Sequence, residues 1–396
     1  MPSTTNFVFK PGKLTFLLDG GAGSSGKGRI GSYVTANADN FTFACNAFHA
    51  QAGHWVVLED GRTFFYQTFN SCAYQEHHER LLLGPGAIIE LPAFFREIEE
   101  SRIPRRKIGI SPIVGILQGI DAGYERGECD FSGNPVRHHG TMKHGSTCHG
   151  CGAASARRIL RRSDVKLARD VPELQEFLCD TPREIMMRLD HGEAGFCEIA
   201  QGFQLSLYHQ FFYPACTSRP VTVAQAMSDL FIAPRYAGPV ILNFRSFPIR
   251  INSRKFVAQN GRHLTWADVQ AGEPHTVVEG DSGHWYPDQR ELTWEDVTKS
   301  SGSPEPIMEI TSVTKLPRRV ATFSRMNVEE TIRHNRTDDD LHISINFMDY
   351  VDSDIRHSRR LTDKAKIWLA EFVASYRTLR FLGTGPKTED TILMNV

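Results

Sequence analysis

The residues best suited to chemistry are concentrated in the stretch LTFLLDGGAGSSGKGRI at positions 14–30. The spacing Gly21-x4-Gly26-Lys27 satisfies the first seven positions of the P-loop pattern, which cradles nucleotide phosphates. The eighth position fails, because Gly28 stands where a Ser or Thr would bind Mg²⁺. We therefore predict a phosphate-binding loop that differs from that of ordinary P-loop NTPases and kinases. A glycine-rich turn without a ligand is the simpler alternative.

The elements around this loop have to form a cradle. The apolar run at 14–18 predicts a buried strand, and the glycines that follow let the backbone turn tightly. A helix should then begin near Lys27, so that its unpaired N–H groups face the loop and favour an anion.

A second group of polar residues lies further along the chain. The sequence GSTCHGCG at 145–152 is interpreted as another phosphate loop, with Ser146 and Thr147 as hydroxyl donors. Zinc is the alternative there, since the segment offers Cys and His side chains at Cys148, Cys151, His144 and His149. The run RRILRR at 157–162 predicts a helix whose charges are either solvated or available to capture phosphate.

Composition limits the kind of partner. The chain has 396 residues and a formal net charge of −1, so it has no global field to attract nucleic acid or a membrane surface. We expect small-molecule substrates. The first residues lack a hydrophobic signal core, and no apolar run approaches the roughly 20 residues that span a bilayer. A cytoplasmic location is therefore expected.

Alternating strand and helix patterns predict the fold class. They favour an α/β protein with a large, mostly parallel, twisted sheet, helices on both faces and inserted loop lobes. Polar loops after so many strands imply one cleft along one sheet edge. We also expect a long loop over Asp121–Gly152, a helix over Leu174–Asp190 and another helix over 364–379. His54 is expected in a loop at the edge of a strand.

Seven motifs, taken in this order, resemble those of the adenylosuccinate synthetase family. They are GSSGKGR at 23–29, QAGH at 51–54, GSTCHGCG at 145–152 with Arg161, EIAQG at 198–202, YPACTS at 213–218, NFMD at 346–349 and GTGP at 383–386. The likeness spans most of the chain and is weakest at about 255–330. It implies one catalytic domain over 1–396 with a divergent inserted region there.

The resemblance implies a two-step ligation. The terminal phosphoryl group of a nucleoside triphosphate moves to the 6-oxygen of a purine monophosphate, and the amine of aspartate then displaces it. The implied catalytic residues are Ser24, Lys27 and His54. Acceptor-nucleotide contacts are implied for Ser24, Gln51, Ser146, Thr147, Arg161, Gln201, Cys216, Thr217 and Ile251.

The remaining implied contacts concern the donor, aspartate and metal. For the donor nucleotide they are Ser25, Gly26, Lys27, Gly28, Gly53, His54, Trp55, Asp349, Gly383, Gly385 and Pro386. For aspartate they are Ser282, Gly283 and Arg290. Mg²⁺ would be held partly at Ser24 and Gly53. A homodimer is also implied, with Arg161 reaching the neighbouring site.

One departure from the family motif bears on the acceptor base. In the family, an aspartate stands at the position of Ser24 and removes the N1 proton of hypoxanthine. Serine is not an anionic base near neutral pH, and losing a general base costs about 10² to 10⁴ in rate. A guanine base, with its 2-amino group beside N1, needs room and a neutral partner, and Ser24 offers both.

Two more departures concern the sugar and the donor. A family arginine near the ribose 2'-hydroxyl is replaced by Asp288 or a gap, and only Arg290 aligns. A site built to bond a hydroxyl rejects its absence by about 10⁴ to 10⁵, so losing that donor admits deoxyribose. Phe347 replaces a family lysine two positions before Asp349, and a phenyl ring stacks on any purine without selecting guanine.

These departures match the phage-type branch of the family, which implies dGMP and aspartate as substrates and ATP as the donor, with dATP or GTP open. The product would be a precursor of diaminopurine-substituted DNA. Two alternatives stay open: a conventional enzyme acting on IMP with GTP, and a non-catalytic purine-nucleotide-binding protein.

Overall fold

The structure is a computed structural model that describes residues 7–38, 40–136, 146–251, 255–259, 264, 268–269, 271–278, 282–311, 316–373, 376 and 378–394. The strands are β1 (Leu14–Asp19), β2 (Phe41–Asn46), β3 (His54–Val57), β4 (Thr63–Tyr66), β5 (Arg80–Leu83), β6 (Ile88–Ile89), β7 (Ile108–Ile110), β8 (Gly115–Ile116), β9 (Ala194–Glu198), β10 (Ala237–Arg245), β11 (Ile249–Arg250), β12 (Lys255–Ala258), β13 (His275–Val278), β14 (Glu291–Leu292), β15 (Arg319–Ala321), β16 (Leu341–Asn346), β17 (Leu379–Gly383) and β18 (Thr391–Leu393). The helices are α1 (Lys27–Ala36), α2 (Leu91–Glu100), α3 (Gly119–Arg126), α4 (Cys151–Ile159), α5 (Thr181–Asp190), α6 (Val223–Leu230), α7 (Trp294–Ser301), α8 (Arg325–Asn335) and α9 (Asp363–Val373).

A nine-stranded sheet organises the part of the chain that is described. Its order is β18-β17-β16-β10-β1-β9-β2-β5-β7. Neighbouring strands run parallel, except that β17 and β18 pair antiparallel. β1 lies in the middle and is buried along its whole length, as expected for a nearly continuous apolar run in a parallel sheet. The predicted α/β class with a large, mostly parallel sheet is confirmed.

The last residues of five parallel strands are polar. They are Asp19, Asn46, Glu198, Arg245 and Asn346, which end β1, β2, β9, β10 and β16, and all five are buried. Because these strands point the same way, their carboxyl ends lie along one edge of the sheet. Open α/β sheets bind ligands at this edge.

The elements beside the phosphate loop largely follow the sequence pattern. α1 begins at Lys27, as predicted. The hairpin of β3 and β4 places His54 at the first position of β3, so this histidine lies within a strand and not in a loop.

Among the described helices, none is long and apolar enough to span a membrane.

Three predicted element boundaries are wrong. The expected loop over Asp121–Gly152 contains the end of α3 and the start of α4, because the Asp121 carboxylate accepts the Gln118 N–H and supports a helix start. Residues 137–145 of that loop lie outside the described residues.

The two predicted long helices are shorter in the structure. The helix expected over Leu174–Asp190 is a 3₁₀ segment at Pro172–Phe177 followed by α5, because Asp180 caps a new helix through the Arg183 N–H at 3.2 Å. The helix expected over 364–379 ends at Val373, and Leu379 already belongs to β17.

Candidate active site

The phosphate loop between β1 and α1 is shaped by a buried carboxylate. Asp19 accepts hydrogen bonds from the Gly21 N–H at 2.6 Å and from the Ser25 hydroxyl at 2.5 Å. The Ser25 N–H lies 3.3 Å from the same carboxylate. Ser24 and Gly26 adopt left-handed φ angles of 53° and 83°. Ser25, which is implied to contact the donor, therefore has both its hydroxyl and its amide engaged by Asp19.

Two asparagines fix the other side of the loop. The Asn243 side chain donates to the Ser25 carbonyl at 3.0 Å, and the Asn346 side chain donates to the same carbonyl at 2.6 Å and to the Gly26 carbonyl at 3.2 Å. Arg29, on α1, donates to Asn346 and to the Asp390 carbonyl. The loop is therefore held by three strands of the sheet.

Lys27 is the cation of this loop. Its ammonium donates to the Gln201 carbonyl at 2.5 Å and lies 3.7 Å from the Asp19 carboxylate. The side chain is only 5% exposed, and Gln201 has a left-handed φ of 68°. A lysine on the first turn of a helix, beside a loop of small residues, forms a site for phosphate oxygens.

Gly28 has a steric reason to be glycine. A Cβ at this position would lie 2.3 Å from the Trp55 carbonyl oxygen on β3, and backbone atoms do not move away as side chains do. The P-loop serine or threonine is therefore excluded here by the packing of β3 against α1.

We predict that Gly28→Ser destabilises the fold. Overpacking against backbone costs about 1–3 kcal/mol in free energy of unfolding, which urea unfolding can measure. Gly119→Ser is the matched control, because a Cβ at Gly119 meets nothing within 4 Å. Equal midpoints for the two variants would contradict the steric explanation.

His54 is oriented by a carboxylate from the neighbouring part of the sheet. Its Nδ1 lies 3.2 Å from Glu198 Oε1, and the other carboxylate oxygen accepts the Ser71 N–H at 2.9 Å. The His54 ring packs edge-on against Phe48, with centroids 4.8 Å apart. Burial lowers the pKa of His54 to about 4. The imidazole is therefore neutral in the ligand-free protein at pH 7, and its Nε2 is the ring atom left for a ligand.

This lowered pKa predicts how stability depends on pH. Because the unfolded state binds a proton near pH 6.5 and the folded state only near pH 4, stability falls as pH drops through this window. Between pH 7.5 and pH 5 the loss should be about 2 kcal/mol for the protein without metal or nucleotide. Urea unfolding of wild type and His54→Gln measures it. The prediction fails if both proteins lose stability equally.

The acceptor-site candidates in the segment between β2 and β3 and in the 213–218 turn contact each other. The Gln51 amide donates to the Thr217 hydroxyl at 3.3 Å, and its Oε1 is buried without a hydrogen-bond partner among the described residues. A buried unpaired amide oxygen indicates a site for a ligand's donor group. Cys216 is half-buried next to Thr217, and Ile251 follows β11.

Only some hydrogen-bond donors of the predicted second phosphate loop, at 145–152, are available to bind a phosphate. The Glu125 carboxylate accepts the N–H groups of Gly150, Gly152 and Ala153, at 2.9, 2.7 and 3.3 Å. The expectation that backbone N–H groups of this loop bind phosphate is thus wrong for the start of α4, where a carboxylate already occupies them. The exposed Thr147 and the half-buried Ser146 stay as candidates.

The structure also addresses the zinc alternative and the arginine run. Over the described residues, no three His, Cys, Asp or Glu side chains are grouped to hold a metal, and His144 lies outside those residues.

The arginines of the run at 157–162 lie in different environments. Arg157 is buried and pairs with Asp121 at 2.8 Å, whereas Arg161 lies beyond the end of α4 and is exposed.

The aspartate-site candidates separate into two places. Ser282 and Gly283 lie beside two arginines that the sequence analysis did not select. Arg250 donates to the Ser282 carbonyl at 2.6 Å, and Arg319 donates to the Ser282 hydroxyl at 3.0 Å and the Gly283 carbonyl at 2.8 Å. Arg290 instead borders a surface groove with Lys364 and Trp368.

Asp288 has a structural role. Its carboxylate accepts the Ser324 hydroxyl at 2.7 Å and the N–H groups of Arg325 and Met326 at 2.8 and 3.1 Å. It therefore caps α8, and a carboxylate at a helix N-terminus is stabilising.

The donor-site candidates gather around the ends of β16 and β17. Asp349 is buried, and this burial raises its pKa to about 6. Gly383 and Gly385 lie where a Cβ would collide with Arg29 and Asp390 respectively, and Pro386 follows them. Trp55 is 61% exposed. Arg29 therefore links the phosphate loop to this glycine turn.

Several supporting residues were missed by the sequence analysis. Asp19, Asn243, Arg245 and Asn346 all hold the phosphate loop or its neighbours. Their common signal is a polar residue at the carboxyl end of a buried parallel strand or, for Asn243, two residues before that end.

The candidate metal ligands fit Mg²⁺ only if phosphate oxygens of a bound nucleotide supply most of its coordination. Ser24 and the Gly53 carbonyl are neutral, and the nearby Asp19 carboxylate is engaged by the loop. Mg²⁺ bound to nucleotides uses one or two carboxylates plus phosphate oxygens. The described residues thus suit a cation held mainly by donor phosphates.

Known proteins resemble the chain over most of its length. It is 28% identical over 390 residues to the N6-succino-2-amino-2'-deoxyadenylate synthase of Vibrio phage phiVC8, covering 95% of this chain and 97% of that protein. It is 31% identical over 337 residues to the adenylosuccinate synthetase of Pyrococcus sp. (strain ST700), covering 80% of this chain and 92% of that protein.

A solved structure agrees with these relatives. The cyanophage S-2L succinoaminodeoxyadenylate synthetase (PurZ), bound to dGMP and to dATP as an energy donor, superposes with a TM-score of 0.72 at 26% identity. The superposition covers 97% of this chain and 96% of that one. No protein-family model matches the chain. The relatives, the fold and the order of the site motifs agree, and the chain therefore belongs to the adenylosuccinate synthetase family.

Proposed function

We propose that this protein joins L-aspartate to C6 of dGMP and consumes ATP or dATP, giving N6-succino-2-amino-2'-deoxyadenylate. The observation that carries the proposal is Ser24, a neutral, exposed residue on a loop that also presents Lys27. Phage relatives named for this product support it, as does the neighbour bound to dGMP and dATP.

The chemistry has two balanced steps. The 6-oxygen of dGMP attacks the γ-phosphorus, the N1 proton of guanine is released to solvent, and the nucleoside diphosphate leaves. The aspartate amine then attacks C6 and loses a proton, and inorganic phosphate leaves with the former 6-oxygen. Lys27 and the amides at the start of α1 would stabilise the charge on the phosphoryl group as it transfers.

His54 would act at the 6-oxygen. Glu198 lies 3.2 Å from Nδ1 of the ring, which leaves Nε2 for the ligands. Bound phosphates raise the pKa of a neighbouring histidine, so His54 would carry a proton on Nε2 and donate a hydrogen bond shared between the donor phosphate and the 6-oxygen. Mg²⁺ would supply charge neutralisation on the donor phosphates.

A substrate matrix tests the proposal. Phosphate release is measured for dGMP, GMP, IMP and dIMP, each with ATP, dATP or GTP, with and without aspartate. We expect aspartate-dependent release with dGMP and an adenine donor. Faster consumption of IMP would favour the conventional activity, and binding of dGMP and ATP without turnover would overturn the enzymatic proposal.

We also propose a homodimer in which Arg161 enters the partner's acceptor site. The end of α4 exposes Ile159 and Leu160, at 78% and 60%, directly before the exposed Arg161. Neighbouring large apolar side chains on a surface indicate an interaction site. They would seat the second copy while the arginine reaches across.

Mixing two inactive variants tests this arrangement. Arg161→Ala and Lys27→Met should each lack turnover, whereas a mixture should recover activity in heterodimers. Since one site of each heterodimer is intact, an equimolar mixture should approach about one quarter of the wild-type rate. A mixture as inactive as its components would contradict the shared site.

A further inference from the structure

Arg245 lies between two parts of the candidate site. It ends β10 and is 3% exposed. Its Nη1 donates to the Ser24 carbonyl at 3.0 Å, and its Nε donates to the Phe247 carbonyl at 2.7 Å. Both terminal nitrogens donate to the Glu309 carboxylate. The guanidinium is thus fixed on three sides by hydrogen bonds.

The flat face of the same guanidinium covers Phe347. Its central carbon lies 4.0 Å from the centre of the Phe347 ring, within the range of a cation–π contact. The next residue, Ser246, donates its hydroxyl to the Phe347 carbonyl at 2.5 Å. Phe347 has a left-handed φ of 61°, which is uncommon for a bulky residue and has to be held by its surroundings.

We propose that Arg245 is a positioning residue that couples the acceptor base to the donor base. One guanidinium fixes the backbone of Ser24 and one face of Phe347. This inference rests on the proposed function, in which Ser24 borders the acceptor purine and Phe347 stacks on the donor purine. Only the face of Phe347 opposite Arg245 is then available to a donor.

The coupling follows from this shared contact. A donor purine that stacks on Phe347 would restrict the motion of that ring and, through the shared guanidinium, of the Ser24 backbone where the acceptor base binds. Each ligand should therefore tighten the other, and by thermodynamic linkage the factor is the same in both directions.

Binding measurements test the coupling without turnover. We would titrate dGMP by calorimetry with and without a non-hydrolysable ATP analogue, and the analogue with and without dGMP. For the wild type we expect each ligand to improve the affinity of the other about 5-fold or more, in the range usual for coupled sites. For Arg245→Met the factor should fall to about 1 while both ligands still bind.

Two variants separate positioning from general destabilisation. Arg245→Lys keeps the charge and loses the flat face, so it should bind each ligand alone and still lack the full coupling. Arg80→Met breaks a comparable pair, with Glu184 at 2.6 Å, and should keep the coupling. A wild type that binds both ligands without coupling, or an Arg245→Met that keeps it, would overturn the inference. Failure of the wild type to bind either ligand would instead contradict the proposed function.

Discussion

Replacing Lys27 with methionine should lower kcat/KM for aspartate-dependent phosphate release by about 10³, the range found when a group stabilising transition-state charge is removed. The reason is its position on the first turn of α1, buried to 5% exposure beside the loop amides. Steady-state kinetics with dGMP and ATP measure the change, at a temperature where both the wild type and the variant are folded.

The matched control concerns Asp19, the carboxylate partner of Lys27. Removing the Lys27 ammonium leaves the Asp19 carboxylate, 3.7 Å away, buried without that cation. An unpaired buried charge lowers the free energy of unfolding by about 3–5 kcal/mol. The double variant Asp19→Asn with Lys27→Met removes both charges and should recover fold stability but not turnover. Turnover recovered in the double variant would show that Lys27 acts only through the fold.

Replacing Ser24 with aspartate should move the preference from dGMP towards IMP. The substitution suits the backbone, because Ser24 has a φ of 53° and Asp is among the residues that tolerate this region. A larger, anionic side chain reduces the room beside the 2-amino group, and kcat/KM for dGMP should fall about 10²-fold. A carboxylate placed to take the N1 proton of hypoxanthine should raise the IMP rate about 10²-fold.

Ser24→Asn separates charge from size. Asparagine has nearly the same shape as aspartate and also tolerates the left-handed region. It should reduce dGMP turnover without gaining IMP turnover, as measured by phosphate release for both nucleotides. Equal IMP rates for the Asp and Asn variants would mean that the carboxylate does not act as the base.

The parts predicted from sequence are those set by short-range patterns. The apolar run at 14–18 predicted the buried strand β1, and the glycines with Lys27 after it placed the start of α1 correctly. Parallel strands bring the carboxyl-end loops to one edge whatever their order, so one ligand-binding edge was predictable. The residues Gln51 and Thr217, which are far apart in sequence, do meet there at 3.3 Å.

The parts that were missed depend on contacts between distant segments. Nothing near Gly150 shows that the Glu125 carboxylate occupies the amides of the next helix, because that contact needs α3 to pack against α4. Asp19 was predictable as the last residue of a strand, but its hydrogen bonds to Gly21 and Ser25 depend on how the loop folds back towards it. Arg290 and Arg319 cannot be distinguished by residue type, and the pairing of β15 with β11 and β14 places Arg319 beside Ser282.

The most direct test of the account follows the 6-oxygen of the acceptor. dGMP labelled with ¹⁸O at C6 is incubated with the protein, ATP and aspartate, and mass spectrometry reads the phosphate and the nucleotide. We predict that the released phosphate carries the ¹⁸O label. The nucleotide should gain aspartate and lose the label. Unlabelled phosphate, with the label kept in dGMP, would contradict ligation through a 6-phosphoryl intermediate.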